Sequence, residues 1–246
     1  MQRLFPDPAE VEVDDQYTRL GLGELAHQRR PWVVTNFALT VDGRATVEGR
    51  SGAIGSATDT RVLQLLRTQV DAVMIGAGTL RAERYGRVVS DPELRGRRER
   101  IEGLGPDPLA VIVTGTLDLP WDAGLFESGF GRVLILTSSD QDPPETKASL
   151  RVERHPGEEV DLRRALETMR RERGIRSLLC EGGPQLHANL LEQRLIDELF
   201  VTTAPKLAGG AGPTLLEGAP PIVHELDLVW LCEDDGELFA RYRLRS

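Results

Sequence analysis

The sequence predicts an α/β protein with a mostly parallel central sheet, helices on its flanks and an antiparallel hairpin at the C-terminal end. Three observations predict it. Short continuous apolar runs, such as DAVMIG, LAVIVTG and RVLILTSS, have the character of strands buried on both faces. They alternate with stretches of helical period such as DLRRALETMRRERG and GPQLHANLLEQRL, and that alternation implies parallel strands joined by crossover helices. Finally, LDLVWLCED and GELFARYRLR alternate in polarity on either side of Asp235-Gly236, which is a hairpin signal.

Taken in order, residues 1–16 carry Pro6, Pro8 and five acidic residues and read as a tail. From Tyr17 to Arg30, the residues Leu20, Leu22, Leu25 and Ala26 predict one side of a short helix that Pro31 stops. WVVTNFALTVDG predicts a strand that turns at Asp42-Gly43. The glycine-rich EGRSGAIGS leads to a helix over 57–68, striped by Val62, Leu65 and Leu66 and capped by Ser56 or Thr58. The charged stretch SDPELRGRRERIEGLGPDP reads as an exposed loop of mixed sign. Asp161 and Gly174 bracket a helix, RSLLCEGG and DELFVTTAPKL are strands, and GPQLHANLLEQRL is the helix between them. No linker composition divides the chain, so one domain is expected over 31–246, with residues 1–30 as an N-terminal extension.

Composition excludes several classes. The formal net charge is −9 with no concentrated basic patch, which disfavours nucleic acid and anionic membrane surfaces as partners. No apolar run approaches the roughly 18 residues of a membrane span, and the acidic start is unlike a signal peptide. Two cysteines, Cys180 and Cys232, without CxxC or His/Cys spacing, fit a reducing compartment and no metal. A cytoplasmic protein is expected.

Ligands of α/β sheets sit at the carboxyl ends of the strands. Glycine marks three such places: Gly76-Ala77-Gly78-Thr79, Glu181-Gly182-Gly183-Pro184 and Gly209-Gly210-Ala211-Gly212. In the second, paired glycines allow close backbone approach and a helix start follows, so it either receives a pyrophosphate or simply turns the chain. Asp42, Glu83 and Glu181 are the acid/base candidates, Asp42 being equally a turn former. Of His27, His155, His187 and His224, none has metal-ligand spacing, and His187 reads as a helix-surface residue one turn past the glycines. Cys180 reads as a buried strand residue. Covalent and metal catalysis are disfavoured, and hydride transfer from a bound cofactor fits better.

VVTNFALTVDGRAT, VDAVMIGAGTLRAE and LLCEGGPQLHANLLEQRLIDELFVTTAPKLAGG resemble the reductase domain of the riboflavin-biosynthesis deaminase/reductase family, in its order and spacing, over roughly residues 31–245. The resemblance implies a dihydrofolate-reductase-like fold, NADPH as hydride donor, a ribosylaminopyrimidine phosphate as substrate and a homodimer. Carried over by motif, Ala38, Thr79 and the run from Gly183 to Asn189, with Pro184, Gln185 and Leu186, are implied at the cofactor, with Glu83 where the family has an aspartate near it and Ser138 and Ser139 at its 2′-phosphate; Gly76, Gly78 and Gly182 of the glycine turns and Ala53 complete the cofactor candidates. Ser51, Arg67 and Glu181 are implied at substrate-contacting positions; Asn36, Arg84 and Arg87 join them as substrate candidates from this chain's own residues, and Asp42 and Glu181 are the candidates for catalysis. Several positions depart from the family pattern. Asn36 stands in place of a lysine, Ala53 of a tryptophan, Glu83-Arg84-Tyr85 of Asp-Asp-Pro, and Thr114-Gly115-Thr116 of Asp-Ser-Arg. Two positive charges are thereby lost, for which Arg84 and Arg87 are the compensating candidates. The alternatives are a dihydrofolate or pterin reductase on the same fold, and a nucleotide-binding protein without turnover.

Overall fold

A computed structural model describes residues 1–47, 52–210, 212–216 and 223–245. Ser51 lies outside the described residues. The elements run β1 (Gln2–Phe5), β2 (Ala9–Glu10), α1 (Val13–Gln16), a 3₁₀ turn (Leu22–Leu25), β3 (Trp32–Thr40), α2 (Ala57–Thr68), β4 (Ala72–Gly76), α3 (Ala77–Glu83) and α4 (Pro92–Arg97). A π-helical turn (Arg98–Glu102) follows, then β5 (Leu109–Thr114), α5 (Gly124–Glu127), β6 (Arg132–Thr137), β7 (Ser149–Arg154), α6 (Leu162–Arg173), β8 (Ser177–Cys180), α7 (Pro184–Glu192), β9 (Glu198–Ala204), β10 (Leu226–Asp234) and β11 (Glu237–Leu244). Contacts divide the chain into two compact units: residues 1–18, 33–66 and 184–246, and residues 19–32 and 67–183. Residues 1–18 fall in the first unit and residues 19–32 in the second.

In the first unit the strands lie in the order β2-β1-β10-β11-β9-β3, with β3 parallel to β9 and the other pairs antiparallel. The predicted hairpin is present. Asp235 (φ 48°) and Gly236 (φ 81°) both take the positive φ that a tight two-residue turn requires. On one face Tyr17, 1% exposed, packs its ring edge-on against Trp230 at 5.0 Å. Glu198 is fully buried and accepts paired hydrogen bonds from Arg241 and Arg243, so its charge is answered by two guanidinium forks. The N-terminus of α2 is capped as expected, with Ser56 Oγ accepting from the backbone N–H groups of Thr58 and Asp59.

Residues 1–16 do not form a tail. β1 pairs with β10, and Asp14 takes a bidentate pair from Arg61. The signal was hidden because the partner of this short strand lies more than 200 residues away. The helix expected over 17–30 is also absent. Gly21 sits at φ 64° and only the 3₁₀ turn around the buried Leu22 forms.

The second unit holds β8-β4-β5-β6-β7, all parallel. Its strands are the continuous apolar runs of the sequence, and Val73, Met74, Ile75, Val111 and Ile112 are fully buried. α6 begins where Asp161 accepts from Arg164 N–H at 2.9 Å and ends at Gly174 with φ 68°. Because the strands run in one direction, their carboxyl ends, from Gly76 to Cys180, emerge along a single edge.

The charged stretch after Ser90 is not a loop. Asp91 caps α4 through Glu93 N–H at 2.8 Å, and Pro92 occupies the first helical position. The Asp-Pro dipeptide carried that signal. Arg98 is 2% exposed; its Nη1 donates to the carbonyls of Arg67 at 3.2 Å and Thr68 at 3.0 Å, and its Nε to Gly105. Burial lowers its pKa to about 10, against the opposing charges of Asp71, Asp107 and Glu102. The guanidinium therefore ends α2 by satisfying carbonyls that a helix terminus leaves free. Arg98→Met is expected to lower stability by about 2–3 kcal/mol by stranding these carbonyls, read as a fall in the urea midpoint at unchanged slope.

Candidate active site

In the second unit, three residues meet at the end of β8. Glu181 follows the strand directly, and its backbone N–H donates to Met74 O on β4. Its side chain is 2% exposed and accepts from Arg67 Nε at 2.6 Å, Arg67 Nη2 at 2.7 Å and the Tyr85 hydroxyl at 2.9 Å. Arg67 completes its donor set on Val88 O at 3.2 Å, and its guanidinium lies 5.4 Å from the centre of the Tyr85 ring. Burial opposes the charge on Arg67, but the carboxylate beside it outweighs that and raises its pKa. The Tyr85 hydroxyl is pushed up, first by burial and then by the Glu181 charge. Arg67 and Glu181 were both anticipated; Tyr85 was not, since it stood only as a departure from a family motif.

Beside this group the backbone is bare. Gly76 N–H donates to Gly182 O at 2.8 Å, tying the end of β4 to the turn after β8. A Cβ on Gly183 would come within 3.0 Å of Thr79 Oγ1, while one on Gly78 would meet nothing within 4 Å. Gly182 sits at φ +103°, closed to most side chains. Gly182 and Gly183 thus leave a turn without side chains, Gly183 packed against Thr79, that leads straight into α7 at Pro184. The residues present fit a dinucleotide here. Cys180, just before, is fully buried with its thiol pushed up to about 12 by burial, as an inert core residue should be.

The other residues of this unit fall elsewhere. Arg84 pairs with Asp122 at 2.6 Å and Arg87 with Asp107 at 2.6 Å, so both compensating charges are already matched. Glu83 closes α3. Ser138 Oγ donates to Glu158 O at 3.0 Å in the loop after β7, and Ser139 Oγ accepts from Gln141 N–H at 3.2 Å, which leaves its own O–H as a donor.

In the first unit, Asn36 and Ala38 lie on β3 opposite Phe200 and Thr202, and Asn36 Oδ1 is buried without a partner. Asp42 is exposed and accepts from Thr40 Oγ1 at 2.7 Å, Ala208 N–H at 3.1 Å and Gly209 N–H at 2.8 Å. The Thr40 hydroxyl, followed by those two amides, holds its pKa at about 2. Asp42 is therefore the anchor of the 208–209 loop, with both oxygens accepting hydrogen bonds. Ala53 is exposed, and its carbonyl accepts from Lys206 Nζ at 3.1 Å. On α7, Gln185 is exposed, Leu186 is 8% exposed and Asn189 is half-buried. His187 is not on the helix surface. It is fully buried, meets the Phe37 ring at 4.5 Å, has no partner at either ring nitrogen and is lowered to about 4 by desolvation. Among the described residues no cluster of His, Cys, Asp and Glu could hold a metal ion, and no helix is long and apolar enough to cross a membrane.

The sequence profile of the RibD C-terminal domain matches residues 31–238. The chain belongs to that family. Among curated proteins, this RibD C-terminal domain is 33% identical over 194 residues to the 2,5-diamino-6-ribosylamino-4(3H)-pyrimidinone 5′-phosphate reductase of Archaeoglobus fulgidus, covering 77% of the chain and 87% of that protein. It is 31% identical to the enzyme of the same name from Methanothermobacter thermautotrophicus, over 77% and 85% respectively. A pyrimidine reductase-like protein of Corynebacterium diphtheriae has the same fold, with a TM-score of 0.80, 23% identity and coverage of 96% of this chain and all of that one. The activity of the family is a reduction in riboflavin biosynthesis.

Two outcomes test these geometries. Glu181→Gln is expected to destabilise by about 3–5 kcal/mol because it leaves the Arg67 guanidinium buried without its counter-charge. Adding Arg67→Met should restore most of the loss in the urea midpoint. For His187, the unfolded chain takes up a proton near the ordinary value of 6.5 and the folded chain only near 4. Between those pH values the unfolded state binds more protons, so stability falls as pH is lowered from 6.5 to 4, by about 3 kcal/mol. In His187→Leu this part of the pH dependence of the urea midpoint should vanish.

Proposed function

We propose that this chain reduces the ribose ring of a 2,5-diamino-6-ribosylaminopyrimidinone phosphate, or its deaminated analogue, to a ribityl chain, with NADPH as the donor implied by the family resemblance. The observation that carries the reading is the bare backbone at Gly182 and Gly183 opposite Thr79, at the carboxyl end of parallel strands. When bound, the cofactor would supply hydride to the sugar C1′ of an imine form of the substrate. The chain's own residues bind and orient. Gly182 and Gly183 would receive the pyrophosphate, joined by Thr79. Gly78, where a Cβ would meet nothing within 4 Å, leaves open space on the facing turn.

Glu181 is held in one orientation by Arg67 and Tyr85, so its remaining acceptor capacity can position a substrate N–H or O–H. Asp42 acts indirectly, by holding the 208–209 backbone. Asn36 Oδ1, buried and unsatisfied, is the substrate-facing candidate of the first unit. A cytoplasmic homodimer is part of the same reading. Its apolar face would be that of Phe5, Leu231 and Leu238, which register places on one side of the β1-β10-β11 ladder, with Phe5 42% and Leu238 40% exposed.

The test is oxidation of NADPH or NADH, followed by the near-ultraviolet absorbance of the reduced nicotinamide. The two ribosylaminopyrimidine phosphates and dihydrofolate are offered in parallel. Turnover of a ribosylaminopyrimidine phosphate at least tenfold above dihydrofolate is expected. Preference for dihydrofolate would make the chain a pterin reductase on the same fold, and binding without any oxidation would make it a nucleotide-binding protein.

A further inference from the structure

The charged stretch after Ser90 carries Arg95, Arg97, Arg98 and Arg100, and their fates differ. Arg98 is buried on the carbonyls that end α2, and Arg97 is engaged. Among the described residues, no carboxylate answers Arg95 or Arg100. Glu93 and Glu99 lie in the same stretch, yet neither forms an ion pair with them there.

Arg95 is half-buried and held by backbone alone. Its Nη1 donates to Val89 O at 2.9 Å and to Ser90 O at 2.6 Å, which uses both hydrogens of that nitrogen. Nε and Nη2 make no hydrogen bond among the described residues, and neither is a buried orphan, so the edge they form is accessible. Arg67 uses the same edge to hold both oxygens of Glu181, and that fork suits a phosphate equally. Arg100 adds a second positive charge. Its guanidinium lies over the bare Cα of Gly96, the residue after Arg95, where a Cβ would stand 2.7 Å from Arg100 Nη1.

These two arginines stand next to the candidate site. Arg67 Nη1 holds Val88 O at 3.2 Å, and Arg95 holds the next two carbonyls along the chain. The Arg67 and Arg95 guanidiniums therefore lie within about 12 Å of each other, the scale of a pentose phosphate arm. We propose that the open edge of Arg95, with Arg100 beside it, receives the 5′-phosphate of the substrate, while the Arg67–Glu181–Tyr85 group meets the pyrimidine end. This rests on the reading above that the substrate is a ribosylaminopyrimidine phosphate. Arg84 is the rival, since its pair with Asp122 is exposed and leaves it available.

The experiment measures kcat and KM for the phosphorylated substrate and for the same compound without its phosphate. The full chain is compared with Arg95→Gln, Arg100→Gln and Arg84→Gln. The unaltered chain is expected to favour the phosphorylated compound by about tenfold or more. Arg95→Gln should raise KM for that compound about tenfold with kcat nearly unchanged, as loss of a contact made equally in ground and transition states does. KM for the dephosphorylated compound and for the reduced nicotinamide cofactor should stay as they are, so the preference for phosphate collapses. A merely structural loss would lower both members of that ratio alike, and the steady cofactor KM separates the substrate's phosphate from those of a dinucleotide. Arg100→Gln should give a smaller rise, about threefold, as an exposed charge does. No preference in the unaltered chain, a preference that survives Arg95→Gln or falls only in Arg84→Gln, or an equal rise in cofactor KM overturns this inference and leaves the reductase reading standing. If the unaltered chain turns over neither compound, both fall together.

Discussion

The paired hydrogen bonds between Arg67 and Glu181 are the interaction on which the candidate site depends. A carboxylate 2% exposed at the end of β8 is tolerable only because a guanidinium from the last turn of α2 faces it with two donors. The Tyr85 hydroxyl takes a further acceptor position, and Val88 O takes the guanidinium's remaining reach. The pair therefore fixes three separate pieces of chain against one another: the helix end, the segment after α3 and the strand end. Arg98 supports it from behind by holding the carbonyls of Arg67 and Thr68.

This arrangement changes what the site's charges are available for. Arginines that look, in the sequence, like phosphate receptors are each matched to a carboxylate: Arg67 to Glu181, Arg84 to Asp122 and Arg87 to Asp107. Their strengths differ. The Arg84 pair is more than half exposed at both ends and contributes little, whereas the Arg67 pair is desolvated and costly to break. The glycines at 182 and 183 matter for a local reason: φ +103° at Gly182 is closed to most side chains, and a Cβ on Gly183 would crowd Thr79 Oγ1 at 3.0 Å.

Much of this was legible along the chain. The apolar runs became parallel strands because a strand buried on both faces has no polar side to display. The Asp235-Gly236 hairpin and the Asp161 and Gly174 ends of α6 formed as written, since each follows from local backbone preference. Glu181 was singled out because it directly follows an apolar strand, at the carboxyl end where ligands of such sheets sit, and Arg67 was reached only through family likeness. Asp42 was legible as a turn residue, and the structure gives it that role. The misreadings share a cause. The stretch 91–102 was judged by its charge density, which hid the Asp91-Pro92 helix start and the burial of Arg98. His187 was judged by the polarity of its side chain, and Tyr85 by the motif it breaks.

The sequence by itself determined the alternation of elements, the helix ends, the glycine turns and the family, because these depend on contacts within a few residues or on a pattern of residue types. Tertiary structure alone decided which charges are spent. Whether an arginine is free, capping a helix or locked to a carboxylate depends on partners tens of residues away: 114 residues separate Arg67 from Glu181, and 30 separate Arg98 from Thr68. Burial decided the rest, because desolvation reverses the meaning of a polar side chain. Thus His187 is neutral in the core and Glu198 is an anchor for two arginines, where each in isolation would read as a surface group.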